Sequence, residues 1–387
     1  MTLKIKYTQG IYSEGINMTN VLFIHSSSEL YGSDRSLLNI VKYINKDKYK
    51  VHVVLPCEGP LVDEMKKIKG VEVVIFEVAV LRRKNLSIKG GFAYLRDYSR
   101  SCKFLKKYIR ENSIDIVDTN TAVVFPGAVA ARKCKIKSSW HIREIIKSNL
   151  ENKVISHIMK RNADVIIANS KASGKALNVP ESKIRVVYNA VEDRERVDVA
   201  PHGITVGMAG RINRWKGQKL LVDAAAIVNK KYPDVTYNIA GEAYTGEEFI
   251  KEDLISYIKE KGLSQSVKLL GQVNNMSEFY SGLDIFVLPS TQPEPFGLVV
   301  IEAMNFGLPV VATNHGGPVE IIEEGVDGYL VDWEDATQMA ERIIELIENP
   351  DLRKRMGVNG QRKKTEQFSV TAMVNNVEKV FEEILNQ

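Results

Sequence analysis

Two series of short apolar runs, each followed by amphipathic or polar stretches, restrict this chain to very few folds. In the first series the runs fall at 20–26, 51–56, 71–76, 114–118, 136–141, 164–168 and 184–188. Amphipathic stretches such as 34–44, 91–112 and 149–161 separate most of them. This alternation predicts an α/β domain with a parallel, doubly wound sheet. The polar segment "VEDRERVDVAPHG" (191–203) interrupts, and a second series follows in "ITVGMAG", "VTYNIAG", "SVKLLG", "DIFVLPS" and "LPVVAT". The expectation is two Rossmann-like domains, 18–195 and 196–370, facing each other across a cleft. Residues 371–387 hold a last helix that either packs on the second domain or crosses back to the first. Residues 1–17 precede the first convincing strand and read as an N-terminal extension.

A chain of 387 residues can support two separate cores. No apolar run reaches the ~18 residues of a membrane span, and the N-terminus lacks a signal peptide's apolar segment. The three cysteines, Cys57, Cys102 and Cys134, are far apart. They fit neither a disulfide framework nor a zinc site, and the expected compartment is the reducing cytoplasm. Residues 1–200 carry 35 Lys and Arg against 21 Asp and Glu, a balance of +14, and the remainder carries 18 against 27, or −9. A basic first domain faces an anionic partner, or its lysines are simply solvated surface.

Ligands of an open parallel sheet sit beyond the carboxyl ends of its strands. In the second series those ends carry unusual residues. "GMAGRINRWKG" places Gly210, Arg211, Lys216 and Gly217 there; "IAGE", "LLGQVNN", "PSTQPEPFG" and "TNHGGPVE" end the other four. Arg211 and Lys216 supply two cations suited to phosphate, Arg by a two-pronged grip and Lys as a mobile point charge. No dinucleotide fingerprint and no Walker A sequence is present. Pro295 suits a first helical turn, so Phe296, Gly297 and Leu298 would offer free amides to a phosphate. Glu294 would then lie just before the helix and Glu302 almost two turns inside it. The eight-residue spacing alone carries nothing, since Glu64/Glu72 and Glu252/Glu260 repeat it. In this context both carboxylates read as acceptors for sugar hydroxyls.

"GRINRWKG", "EPFGLVVIEAM" and "GLPVVATNHGGPVEIIEEGVDGYLV" resemble the retaining glycosyltransferases of family four, which have the GT-B fold. The similarity runs from Met18 over nearly all the chain. It implies that Arg211 and Lys216 hold the diphosphate of a nucleoside-diphosphate sugar, with UDP favoured. Glu294 would bind the transferred sugar, Glu302 the ribose, and Gln272-Val273 the base. Phe296, Gly297 and Leu298 would lie near the phosphates and sugar, and His141 of "WHIRE" near the reacting bond. Arg143 and Glu144 are weaker candidates, because "HIRE" also starts ordinary helices. Asn169, Ser170 and Asn189 are explained equally well by capping.

The loop "HSSSELYGSDRSLL" departs from the family's Gly-Gly pair, keeping only Gly32, with Ser33 or Asp34 to cap the next helix. Implied is transfer with retained configuration and no metal; Asp-x-Asp is absent. The competing readings are a sugar-nucleotide epimerase and a catalytically silent nucleotide-sugar-binding protein. No nucleic-acid motif is present.

The acceptor is expected to be a saccharide or lipid-linked saccharide of the cell envelope. Leu81 to Arg110 contain ten Lys and Arg but one acid, Asp97. Phe92, Leu95, Cys102, Leu105 and Ile109 would share one helical face. Such a basic amphipathic helix (82–110) either packs normally or attaches the protein to an anionic membrane on its inner face.

Overall fold

A computed structural model describes residues 18–82, 85, 87–146, 148–200 and 203–387; the extension at 1–17 lies outside them. The first seven strands are β1 (Thr19–Ile24), β2 (Tyr49–Leu55), β3 (Val71–Ile75), β4 (Ile116–Asn120), β5 (Lys137–Ile142), β6 (Val165–Ala168) and β7 (Ile184–Val186). They are joined through α1 (Gly32–Tyr43), α2 (Pro60–Lys66), α3 (Ile88–Glu111), α4 (Pro126–Cys134), α5 (Asn149–Asn162) and α6 (Lys171–Lys175). All pair in parallel, in the order β3-β2-β1-β4-β5-β6-β7. The central strands read as apolar runs because helices cover both of their faces.

The second sheet is formed by β8 (Thr205–Ala209), β9 (Thr236–Ala240), β10 (Val267–Gly271), β11 (Ile285–Leu288), β12 (Val310–Thr313) and β13 (Gly328–Val331). Its helices are α7 (Gln218–Val228), α8 (Glu248–Glu260), α9 (Met276–Ser281), α10 (Leu298–Asn305), α11 (Pro318–Ile321), α12 (Ala336–Glu348) and α13 (Pro350–Gln367). The order is β10-β9-β8-β11-β12-β13, again parallel. Both sheets reverse direction beside their first strand, at β1/β4 and β8/β11, which is where such folds open a crevice. Strand β13, "GYLV", is an addition to the sequence reading.

The final helix, α14 (Val370–Leu385), leaves the second domain and enters the first. Val374, Val377 and Phe381 are buried in one cluster with Val21, Phe23 and Tyr49. The Phe381 ring lies 6.2 Å from Phe23 and 6.0 Å from Tyr49. Glu383 pairs with Arg185 and Glu382 with Lys48. The outward crossing, 191–200, has no regular structure and is strapped to the second domain. Arg196 donates to the carbonyls of Phe306 and Ser281, and buried Lys364 pairs with Asp193.

The expected apolar face of α3 is corrected. Cys102, Leu105 and Ile109 are buried, but Phe92 is 72% and Leu95 62% exposed. The inward face instead continues through Ser101, Tyr98 and Tyr94 at helical spacing, which turns Phe92 and Leu95 outward.

Candidate active site across the interdomain cleft

Glu294 and Lys216 meet on the rim of the second sheet. The Lys216 ammonium lies 3.0 and 2.8 Å from the two Glu294 oxygens, and Ser290 Oγ donates to Oε2 at 3.0 Å. Both side chains are largely shielded from solvent. Asn213 holds the Lys216 loop, its side-chain oxygen accepting the amides of Trp215 and Lys216. Gly210 lies against the aliphatic stem of Lys216. The Glu294 backbone bridges to Gly316, and Gly317 N–H donates to the Glu294 carbonyl at 2.7 Å.

That bridging changes the expected helix start. Pro295 and Phe296 lie outside α10, which begins at Leu298 with Gly297 as its cap at φ +99°. This left-handed conformation suits glycine. The amides of Leu298 and Val299 have no acceptor among the described residues. Glu302 is the fifth residue of the helix, so just over one turn in. The Phe296 ring is buried, 6.0 Å from Tyr188 and 5.9 Å from Phe368. Its side chain therefore serves the core, and the expected role is one for its backbone amide.

Glu302 belongs to a separate subsite. Its carboxylate accepts from Tyr280 Oη at 2.7 Å, in a cavity lined also by Gly32, Arg35, Arg194 and Leu298. Burial pushes its pKa up, partly offset by the Tyr280 hydrogen bond and by Arg194 and Arg35. Val273, between β10 and α9, is half-buried against the cluster holding Phe279 and Tyr280.

The first domain meets this rim through α1. A Cβ on Gly32 would lie 3.1 Å from Leu298 Cδ1, so the two helix starts nearly touch. Tyr31 N–H donates to the Asp34 carboxylate at 2.9 Å, and Asp34 Oδ1 lies 2.6 Å from His25 Nε2. Arg211 crosses the same gap. Its guanidinium carbon lies 3.9 Å from the Tyr31 ring centre and 4.1 Å from that of Tyr244.

His141 ends β5 with Nδ1 2.9 Å from Asp118 Oδ1, while Ser139 donates to Asp118 Oδ2 at 2.6 Å. The carboxylate turns the other ring nitrogen, Nε2, away from itself. Arg143 and Glu144 follow in a non-helical stretch. Buried Arg143 donates to Asn120, Ser36 and Asn189. Burial lowers its pKa to about 10, against the opposing charges of Asp118, Glu144 and Asp34.

Ser170 caps α6 and also donates to the Pro295 carbonyl at 2.6 Å, beside Glu294. Glu320 accepts the amides of Lys171 and Ala172 across the cleft. Asp118, Ser290, Tyr280, Tyr31, Tyr244 and Glu320 were not singled out from sequence. An acid at the end of a predicted strand was the available signal for Asp118. Among the described residues, no group of three or more His, Cys, Asp or Glu is placed to hold a metal ion.

Residues 191–363 match the family model "Glycosyl transferases group 1", and 31–195 match "Glycosyltransferase Family 4". The chain belongs to glycosyltransferase family four. The solved structure of Anabaena HepE in complex with UDP and glucose is similar to this family member at 26% identity and TM-score 0.79. The likeness covers 94% of this chain and 99% of that one. Spore coat protein SA of Bacillus subtilis (strain 168) is 28% identical over 52% of this chain. The capsular polysaccharide biosynthesis glycosyltransferase CapM of Staphylococcus aureus is 26% identical over 62%. The alignments span 59% and 61% of those two proteins' own length. The GT-B architecture of the family is the one described above, two parallel sheets meeting at a cleft.

Proposed function

We propose that this glycosyltransferase moves a hexose from a UDP-sugar, with retention and without a metal, to a saccharide or lipid-linked saccharide of the cell envelope. The observation that carries this reading is the shielded Lys216–Glu294 pair beside the open amides of α10. A cation and a helix start favour a diphosphate, while the neighbouring carboxylate accepts sugar hydroxyls. Arg211 and Lys216 would stabilise charge on the departing UDP, which is electrostatic catalysis. Glu302 would accept from the ribose hydroxyls. His141, oriented by Asp118, would face the sugar, and the leaving phosphate would take the acceptor proton on the same face. The HepE complex with UDP and glucose supports the choice of nucleotide, and the similarity to CapM supports a polysaccharide product.

Calorimetry with UDP, GDP, ADP and dTDP in EDTA tests the donor. Selective UDP binding that Arg211→Ala weakens measurably supports the reading; EDTA-sensitive binding overturns its metal-free part. NMR of the product reads the anomeric configuration, and an inverted linkage overturns retention.

The same reading extends to the membrane. No described helix is long and apolar enough to cross one. Phe92 and Leu95 nevertheless project from a helix that also carries Lys89, Arg96, Arg100 and Lys103. That combination favours peripheral attachment to an anionic leaflet.

A further inference from the structure

We infer that Tyr31 and Tyr244 are positioning residues that hold the Arg211 guanidinium edge-on to the donor diphosphate, making cleft closure and donor grip one event. The inference rests on the donor reading above and adds two residues and a coupling to it. The rings come from opposite domains, Tyr31 at the start of α1 and Tyr244 in the loop after β9. Both ring centres lie within stacking distance of the Arg211 guanidinium carbon, at 3.9 and 4.1 Å. Guanidinium donors all lie in the plane of the group. Rings stacked on the faces of the group would leave its N–H donors free at the edge. No hydrogen bond or ion pair of that guanidinium is made within the described residues.

The backbone that carries each ring is held in place. Tyr31 is fixed through its amide on Asp34, which is itself paired with His25. Ala243, next to Tyr244, pairs with Ile212, next to Arg211, and Ile212 N–H donates to the Glu242 carbonyl at 3.0 Å. The two rings are 55% and 47% exposed, so filling a core does not account for them. An arginine on a free stem would lose its rotamer freedom only when the donor binds; the clamp removes that loss beforehand. Since one ring belongs to the first domain, an opened cleft releases the arginine.

The test is UDP binding by calorimetry across a double-mutant cycle in the full chain. Tyr31→Ala and Tyr244→Ala are each expected to weaken binding about tenfold, the scale of one immobilised side chain. Tyr31→Phe and Tyr244→Phe keep a stacking face and should restore it. In an Arg211→Ala background, Tyr31→Ala should cause no further loss. Equal losses in both backgrounds, or phenylalanine variants as impaired as the alanine ones, overturn the clamp. A wild-type protein that binds no nucleoside diphosphate overturns the donor reading and the clamp together. That result differs from additive losses in a protein that does bind UDP.

Discussion

Lys216 and Glu294 neutralise each other at 2.8 Å, in a place where only 14% and 10% of their side chains reach solvent. Two groups proposed for different parts of the donor are thus already paired before it arrives. Removing Lys216 leaves the Glu294 carboxylate shielded with only the Ser290 hydroxyl as a partner, which costs more than the pair itself contributes.

Lys216→Ala should lower stability by about 1–3 kcal/mol, because the shielded Glu294 carboxylate loses its counter-charge, and weaken UDP binding. Adding Glu294→Gln should recover thermal stability without recovering binding. Scanning calorimetry and titration calorimetry separate the two effects; parallel recovery of both would contradict a donor role for Lys216.

Asp118 should matter to turnover rather than to the donor. Asp118→Asn loses the carboxylate that orients His141 and is expected to lower transfer by roughly tenfold to a hundredfold, the scale of a site group misplaced by about 1 Å. UDP affinity should stay unchanged. A transfer assay beside calorimetry distinguishes this from a general loss of folding.

Glu302 predicts a pH slope. Burial raises its folded pKa above 4.5, so its contribution favours the folded state below the unfolded value and is lost as pH rises through the raised one. Ribose hydroxyls need the ionised acceptor. UDP affinity should therefore begin to fall above pH 4.5 as the solution is acidified, at higher pH than for an ordinary glutamate. Glu302→Gln should bind more weakly and lack that slope, while gaining stability at neutral pH.

Phe92→Ser with Leu95→Ser should reduce sedimentation with anionic vesicles and leave the melting temperature unchanged, because both side chains already face solvent. Added salt should weaken the wild-type interaction, since basic residues near a charged leaflet each contribute about 1 kcal/mol that screening removes. Equal binding to neutral and anionic vesicles would rule out the electrostatic contribution.

Phe381→Ala should destabilise the first domain by about 3–5 kcal/mol, as expected for a large aromatic removed from a packed core. Thermal unfolding monitored with and without UDP would locate the loss in the first domain.

The strands of both sheets were legible where helices bury both faces, as in "VLFI" and "IFVL". The start of α10 was misread because Pro295 carries a strong local helix signal. Backbone contacts of Gly316 and Gly317 with Glu294 override it, and those residues lie far along the chain from it. Phe92 and Leu95 were placed on the wrong side of α3 because an alternative stripe through Tyr94, Tyr98 and Ser101 packs inward. The rim chemistry of the second domain was readable from loop residues. The ring contacts of Arg211 were not, since Tyr31 and Tyr244 meet it only after two sheets have been assembled.

The return of α14 also orders the protein's birth on the ribosome. Synthesis usually lets the first-made domain fold first. Here Phe23 and Tyr49, made among the earliest residues, wait for Phe381 to cover them. The second-made domain needs nothing from α14 for its own core. The first domain completes its core only once α14 has folded back onto it.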